Sequence, residues 1–239
     1  MARKPLLIVN AGKTYPEIAV LAGGDFDDWI AAGLGRKADR IATVNPFAGD
    51  ALPAPASCCG VIVTGSHAMV TDRHPWSEHT AAWIAVAVAA DVPLLGICYG
   101  HQLLAHAMGG GVADNPNGRE IGTVTIRLNA SGQKDPLFSG LPETFLAQAC
   151  HTQSVVRLPA GATLLAASAA DAHHAFAVGR RAWGLQFHPE FDGRVLRGYI
   201  EHDAAALAAG GMDVPALLSG IRETPHSHAL LRRFQSLCG

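Results

Sequence analysis

Of the five cysteines in the chain, Cys98 has the neighbours that suit a thiol to chemistry. It lies in Gly96-Ile97-Cys98-Tyr99-Gly100, at the end of the short apolar run 93–97 and ahead of an apolar helical pattern. That order describes a strand, a sharp turn and a helix with the thiol at the tip, the G-x-S-x-G nucleophile elbow with sulfur in place of oxygen. A turn this tight leaves no room for side chains two positions either side, which is where the two glycines fall. At a helix N-terminus the unpaired N–H groups and the helix dipole favour an anion, so the sequence predicts a nucleophilic thiolate. A nucleophile of this kind needs a base, a group that orients the base, and donors for the oxyanion formed at the attacked carbonyl. His188-Pro189-Glu190 follows directly on the strand-like run 183–188 and offers both base and orienting carboxylate from one sheet edge. The backbone N–H of Tyr99, by elbow geometry, and that of Gly65 in the Gly65-Ser66 turn are the candidate oxyanion donors.

These groups have to be carried by elements that converge. Continuous apolar runs at 6–9, 41–44, 60–66 and 93–97 read as strands buried on both faces of a parallel sheet. Between them, 26–34 carries Asp25, Asp27 and Asp28 near its start, and 78–90 is alanine-rich; both read as helices. A helix over 99–108 then stops at Gly109-Gly110-Gly111. The pattern changes at 123–128, where polar and apolar residues alternate as in an antiparallel strand exposed on one face, and further short strands are expected at 145–150, 163–167, 175–178 and 183–188. From Gly193 the pattern is helical, and 214–234 continues so. The expectation is an α/β fold: a doubly wound, mostly parallel sheet with flanking helices and a smaller antiparallel portion, with sites beyond the carboxyl ends of strands. Residues 1–239 read as one domain, with a core over roughly 6–200 and a helical extension over roughly 201–239.

Composition narrows the function classes. A formal net charge of -2, with 49% hydrophobic and 16% charged residues, gives no basic excess for nucleic acid or an anionic membrane. The longest apolar region, 81–97, is broken by Asp91 and Pro93, so no membrane span is expected, and the start of the chain reads as a first strand rather than a signal peptide. Five cysteines without framework spacing suit a reducing, cytoplasmic setting, and Cys150 beside the pocket is expected to be an inert buried thiol. None of the twelve histidines falls in a His-x-x-x-His pattern with a third ligand nearby, and Gly23-Gly24 lacks the lysine and serine of a phosphate loop; no metal or other cofactor is expected. His173-His174 and His226-Ser227-His228 read as polar loop or helix-edge residues.

Taken together, Gly96-Ile97-Cys98-Tyr99-Gly100-His101-Gln102 and Gln186-Phe187-His188-Pro189-Glu190-Phe191 resemble the class I glutamine amidotransferases, especially the glutaminase domain of GMP synthase and its free-standing relatives. The resemblance covers about 6–199 and implies a flavodoxin-like sheet. It implies that L-glutamine is the substrate, with Cys98 as nucleophile, His188 as base and then acid, Glu190 as the orienting carboxylate, and Gly65 and Tyr99 as the oxyanion hole. It places Gln102 along the substrate pocket and His151-Thr152-Gln153 where relatives clamp the amino acid end of glutamine. It gives Asn117-Gly118-Arg119-Glu120-Ile121-Gly122 a structural ion pair rather than a catalytic role. Two departures stand out: relatives often carry Gly-Gly-Pro where this chain has Thr64-Gly65-Ser66, and Gln153 replaces an acid common in GMP synthases. The chain contains no Ser-Gly-Gly-x-Asp-Ser loop, so either a separate synthetase subunit uses the ammonia or the substrate is processed without ATP. Oligomeric state is left open. A cysteine hydrolase of the same fold acting on another γ-glutamyl or amide substrate is the alternative enzyme, and a catalytically silent regulator or scaffold is the alternative outside enzymes.

Overall fold

A computed structural model describes residues 4–35 and 40–238. In chain order the elements are β1 (Leu6–Val9), α1 (Pro16–Ala22), α2 (Phe26–Leu34), β2 (Ile41–Val44), β3 (Gly60–Val63), α3 (Pro75–Ala89), β4 (Leu94–Ile97), α4 (Tyr99–Ala107), β5 (Gly111–Asp114), β6 (Glu120–Leu128), β7 (Thr144–His151), β8 (Gln153–Arg157), β9 (Thr163–Ala167), β10 (Ala175–Val178), β11 (Ala182–Leu185), α5 (Gly193–His202), α6 (Ala204–Ala209), α7 (Val214–Ser219) and α8 (Pro225–Leu237).

Nine strands form one sheet in the order β2-β1-β3-β4-β11-β10-β9-β6-β7. The first five are parallel, and the remaining pairings are antiparallel. The antiparallel portion therefore extends the same sheet. β5 and β8 form a separate two-stranded ribbon that the sequence pattern does not announce. β1, β3, β4 and β11 are buried along their whole length, as strands covered on both faces must be. Alternate residues of β1 then serve opposite layers. Leu6 and Ile8 pack with Ile30 and Leu34 of α2 and with Leu230, Leu231 and Phe234 of α8. Leu7 and Val9 pack with Ala81 and Ile84 of α3 and with Leu103 and Leu104 of α4.

Local signals explain the ends of the elements. Asp25 caps α2, its side chain accepting from the Phe26 N–H at 2.7 Å while Asp28 accepts from the Asp25 N–H at 3.0 Å, a reciprocal capping box. Strand β11 stops at Leu185, short of the expected 188, because the chain turns away to pair once, at His188, with Gln148 of β7. That single pairing brings β7 back beside the end of β11. Among the described residues no helix is long and apolar enough to cross a membrane.

Candidate active site

Three adjacent parallel strands deliver the chemistry: Gly65 lies two residues past β3, Cys98 immediately past β4 and His188 three residues past β11. All three leave from carboxyl ends of the sheet, where sites of such folds lie. Hydrogen bonds tie the ends together, from the Cys98 N–H to the Leu185 carbonyl at 2.8 Å and from the Gly100 N–H to the Thr64 carbonyl at 3.2 Å.

Cys98 adopts φ 50° and ψ −99°, a conformation that costs a non-glycine residue on the order of 1–3 kcal/mol and that only a well-braced turn can hold. The two glycines provide the bracing by close approach. A Cβ on Gly96 would sit 2.3 Å from the Gly100 carbonyl oxygen, and one on Gly100 would sit 2.3 Å from the Val63 carbonyl oxygen. The Cys98 thiol is directed to the Cys150 carbonyl at 3.8 Å.

His188 donates from Nδ1 to Glu190 Oε1 at 2.7 Å, which leaves Nε2 for the sulfur of Cys98. Burial alone would lower the imidazole's proton affinity, but the Glu190 carboxylate and the Cys98 sulfur more than offset it and raise the His188 pKa to about 10. The Phe191 ring stacks on the imidazole with centroids 3.9 Å apart, fixing its plane. Gly65 faces the other side: a Cβ there would meet His188 Cε1 at 3.0 Å, a steric reason for glycine in addition to its N–H. Neither the Gly65 nor the Tyr99 N–H donates to another group among the described residues. The departure at Thr64 is absorbed locally. Its hydroxyl accepts from the Ala11 N–H at 2.9 Å and lies 2.8 Å from the Gly65 carbonyl, while Ser66 Oγ donates to the Ala11 carbonyl at 2.9 Å, so both side chains stitch the turn to the end of β1.

A cleft of about 190 Å³ runs from Cys98 to the other predicted pocket residues, Gln102, His151, Thr152 and Gln153. Gln102 Nε2 donates to the Gln153 carbonyl at 2.7 Å and to Gln186 Oε1 at 3.0 Å. Gln153 Nε2 donates to Thr71 Oγ1 at 2.7 Å and to Asp114 Oδ1 at 3.1 Å, while its Oε1 is buried without a partner. His151 ends β7 and Gln153 begins β8, so Thr152 is the hinge by which the chain changes sheets beside the cleft. Arg119, at the cleft mouth, forms an ion pair with Asp203 and lies 3.7 Å from the Cys150 sulfur. Burial raises the Cys150 pKa to about 11 against the opposing pull of Arg119.

Sequence patterns missed the group behind His151. Glu120 Oε2 accepts from His151 Nε2 at 2.9 Å and His174 Nε2 at 2.7 Å, and Oε1 accepts from Ser168 at 2.7 Å. His174, expected at a polar loop edge, is fully buried because it is needed here. Burial would raise the Glu120 carboxyl, and the two imidazole donors more than reverse this, holding it well below the usual carboxylate range. Ligand atoms of Glu120, His151 and His174 all lie within 4.8 Å of one another, a spacing that could hold a metal ion. Direct hydrogen bonds join the three side chains and fix His151, while His174 Nδ1 is buried without a partner.

The chain is similar to known proteins in sequence and in fold. A model of the family described as glutamine amidotransferase class-I matches residues 43–205. The GMP synthase [glutamine-hydrolyzing] of Caldicellulosiruptor saccharolyticus is 37% identical over 132 residues, covering 55% of this chain and 24% of that protein, so the match spans about a quarter of its length. A γ-glutamyl-L-1-hydroxyisopropylamide hydrolase of a Pseudomonas species is 29% identical over 163 residues, 64% of this chain and 54% of that one. In fold, the crystal structure of a glutamine amidotransferase from Thermotoga maritima superposes with a TM-score of 0.77 at 23% identity, covering 99% of both chains. The chain belongs to the class I glutamine amidotransferase family.

Proposed function

We propose that this chain hydrolyses the side-chain amide of L-glutamine through a Cys98–His188–Glu190 triad and a γ-glutamyl thioester, releasing ammonia to an acceptor. The observation that carries this reading is the delivery of Gly65, Cys98 and His188 by three adjacent strands, with His188 already bonded to Glu190 at 2.7 Å. Cys98 Sγ adds to the amide carbon, and the N–H groups of Gly65 and Tyr99 receive the oxyanion. The protonated His188 gives its Nε2 proton to the leaving nitrogen, the C–N bond breaks, and ammonia departs. Water then loses a proton to His188 and adds to the thioester, and the C–S bond breaks to return the thiolate and release glutamate. Glu190 holds the imidazole in one orientation and stabilises its cation throughout.

At the other end of the cleft, Gln102, His151, Thr152 and Gln153 hold the amino acid part of glutamine. Gln153, in place of an acid common in GMP synthases, is held there by Thr71 and Asp114. The resemblance to GMP synthases points to a separate ATP-using synthetase subunit as the acceptor's carrier. Five free cysteines, one of them the nucleophile, suit the reducing cytoplasm. Acid quenching during turnover, followed by mass analysis of peptides, is expected to show a γ-glutamyl adduct on Cys98; an adduct confined to another cysteine would overturn the assignment. A second reading, hydrolysis of a different γ-glutamyl amide by the same steps, is favoured by the likeness to the Pseudomonas hydrolase.

A further inference from the structure

A separate cavity lies behind the triad, between α2, the 189–195 segment and α8. Its volume is about 350 Å³, against about 190 Å³ for the cleft at Cys98, and no residue lining the one lines the other. Small-molecule sites occupy roughly 300–1,000 Å³, so the space is large enough to hold a ligand of its own. Glu190 connects it to the chemistry: Oε1 accepts from His188 Nδ1, and the same side chain forms part of the cavity wall.

Two polar atoms of this wall, Glu190 Oε2 and Trp29 Nε1, are buried without a hydrogen-bond partner among the described residues. Both residues are more than nine-tenths buried, and an unmade hydrogen bond in such a place is costly. Most other polar groups of the wall are already engaged. Asp192 accepts from the Arg194 and Val195 N–H groups at 2.8 and 3.0 Å and from Arg194 Nε at 2.9 Å. His228 Nδ1 donates to the Pro189 carbonyl at 2.7 Å, tying α8 to the segment that carries Glu190. Arg232 has no partner among the described residues, and the Asp28 carboxylate accepts only from the Asp25 N–H at 3.0 Å. Ala22, Ala32, Gly33 and Val195 supply a small apolar surface. A fitting ligand brings a donor for Glu190, an acceptor for Trp29, and charges of both signs opposite Asp28 and Arg232. A plain anion would meet two carboxylates, and a plain cation would leave the indole N–H and the guanidinium unanswered.

We infer that this cavity binds a free α-amino acid with a small apolar side chain, its ammonium directed to Glu190 and its carboxylate to Trp29 and Arg232. The bound ammonium draws on the carboxylate that orients His188. Occupancy therefore weakens the hold of Glu190 on the imidazole and slows turnover without obstructing the cleft. Binding is independent of the glutamine hydrolysis proposed above; only the effect on turnover rests on that reading.

Calorimetric titration of the full chain with L-valine, and with isobutylamine and isovalerate as its two halves, tests this directly. Valine is expected to bind with a Kd of about 1 mM, within reach of a ligand this small, and each half about tenfold more weakly. Trp29→Phe, which keeps an aromatic ring and removes the N–H, is expected to weaken valine about tenfold. Arg232 is exposed, so Arg232→Ala leaves the fold intact and is expected to weaken valine about threefold. Saturating valine is expected to lower kcat for glutamine about threefold with KM unchanged. No heat of binding at about ten times the expected Kd would overturn the inference, whether or not glutamine is turned over. Affinity undiminished in both variants would overturn the placement in this cavity, and so would inhibition through KM alone, which belongs to the cleft. Isovalerate bound as tightly as valine would overturn the ammonium contact with Glu190. Valine binding in a chain that never releases glutamate from glutamine would support the cavity and overturn the glutaminase reading.

Discussion

His188 connects the sulfur to the carboxylate, and its environment sets how the site responds to pH. Glu190 is the main group raising its pKa, so Glu190→Gln is expected to move the alkaline limb of the kcat/KM profile to lower pH, because the imidazolium that protonates the leaving nitrogen is lost sooner. The same substitution is expected to lower kcat by two to four orders of magnitude, as roughly measured when the orienting carboxylate of such a triad is neutralised. Steady-state rates from pH 5 to 10 check both. Gln153→Leu keeps the volume but removes the buried Oε1 and the bonds to Thr71 and Asp114; it is expected to raise KM for glutamine about tenfold with a smaller change in kcat. At this scale the sequence was most informative where the chemistry is local, since Cys98 sits in a five-residue elbow and His188 and Glu190 are two residues apart. The Glu120 network was hidden because its partners are distant in sequence, 31 residues for His151 and 54 for His174, and no local pattern marks residues that only the sheet brings together.

The elements succeed or fail as supports for the turn at Cys98. Gly100→Ala places a carbon 2.3 Å from the Val63 carbonyl, and neither partner is a flexible side chain. The expected result is a loss of about 1–3 kcal/mol in denaturant stability together with reduced turnover of the folded fraction, since α4 must shift away from β3. Strands β1, β3 and β4 were readable from continuous apolar runs, and α2 from its acidic start, because burial on two faces and capping leave direct marks. Helix α1 and the β5–β8 ribbon were not. Both are short, and the ribbon pairs Gly111–Asp114 with Gln153–Arg157, segments distant in sequence that gain their pairing only through the fold. The end of β11 was misjudged by three residues for the same kind of reason: what stops it is a pairing with Gln148 on a strand far away in sequence.

For the molecule as a whole, the nine-stranded sheet explains why Gly65, Cys98 and His188 come together at one end of the fold. β3, β4 and β11 present the reacting groups, and the chain beyond β7 returns to wall the cleft. Acid stability should report on the buried network that holds this wall. The Glu120 carboxyl is held below its value of about 4.3 in an unfolded chain, so its contribution is full above that pH and is lost as pH falls toward the folded value. Melting temperatures from pH 7 to 3 should therefore fall steeply below about pH 4.3, and Glu120→Gln should flatten that fall while costing about 3 kcal/mol at pH 7. The proposal that the chain is a thiolate hydrolase is met most directly by glutamate release, measured alone and in cell extract, from the wild-type chain and from Cys98→Ala at equal folded concentration. The account predicts release by the wild type and a loss of about a thousandfold or more in Cys98→Ala. Equal release by the two proteins would contradict it.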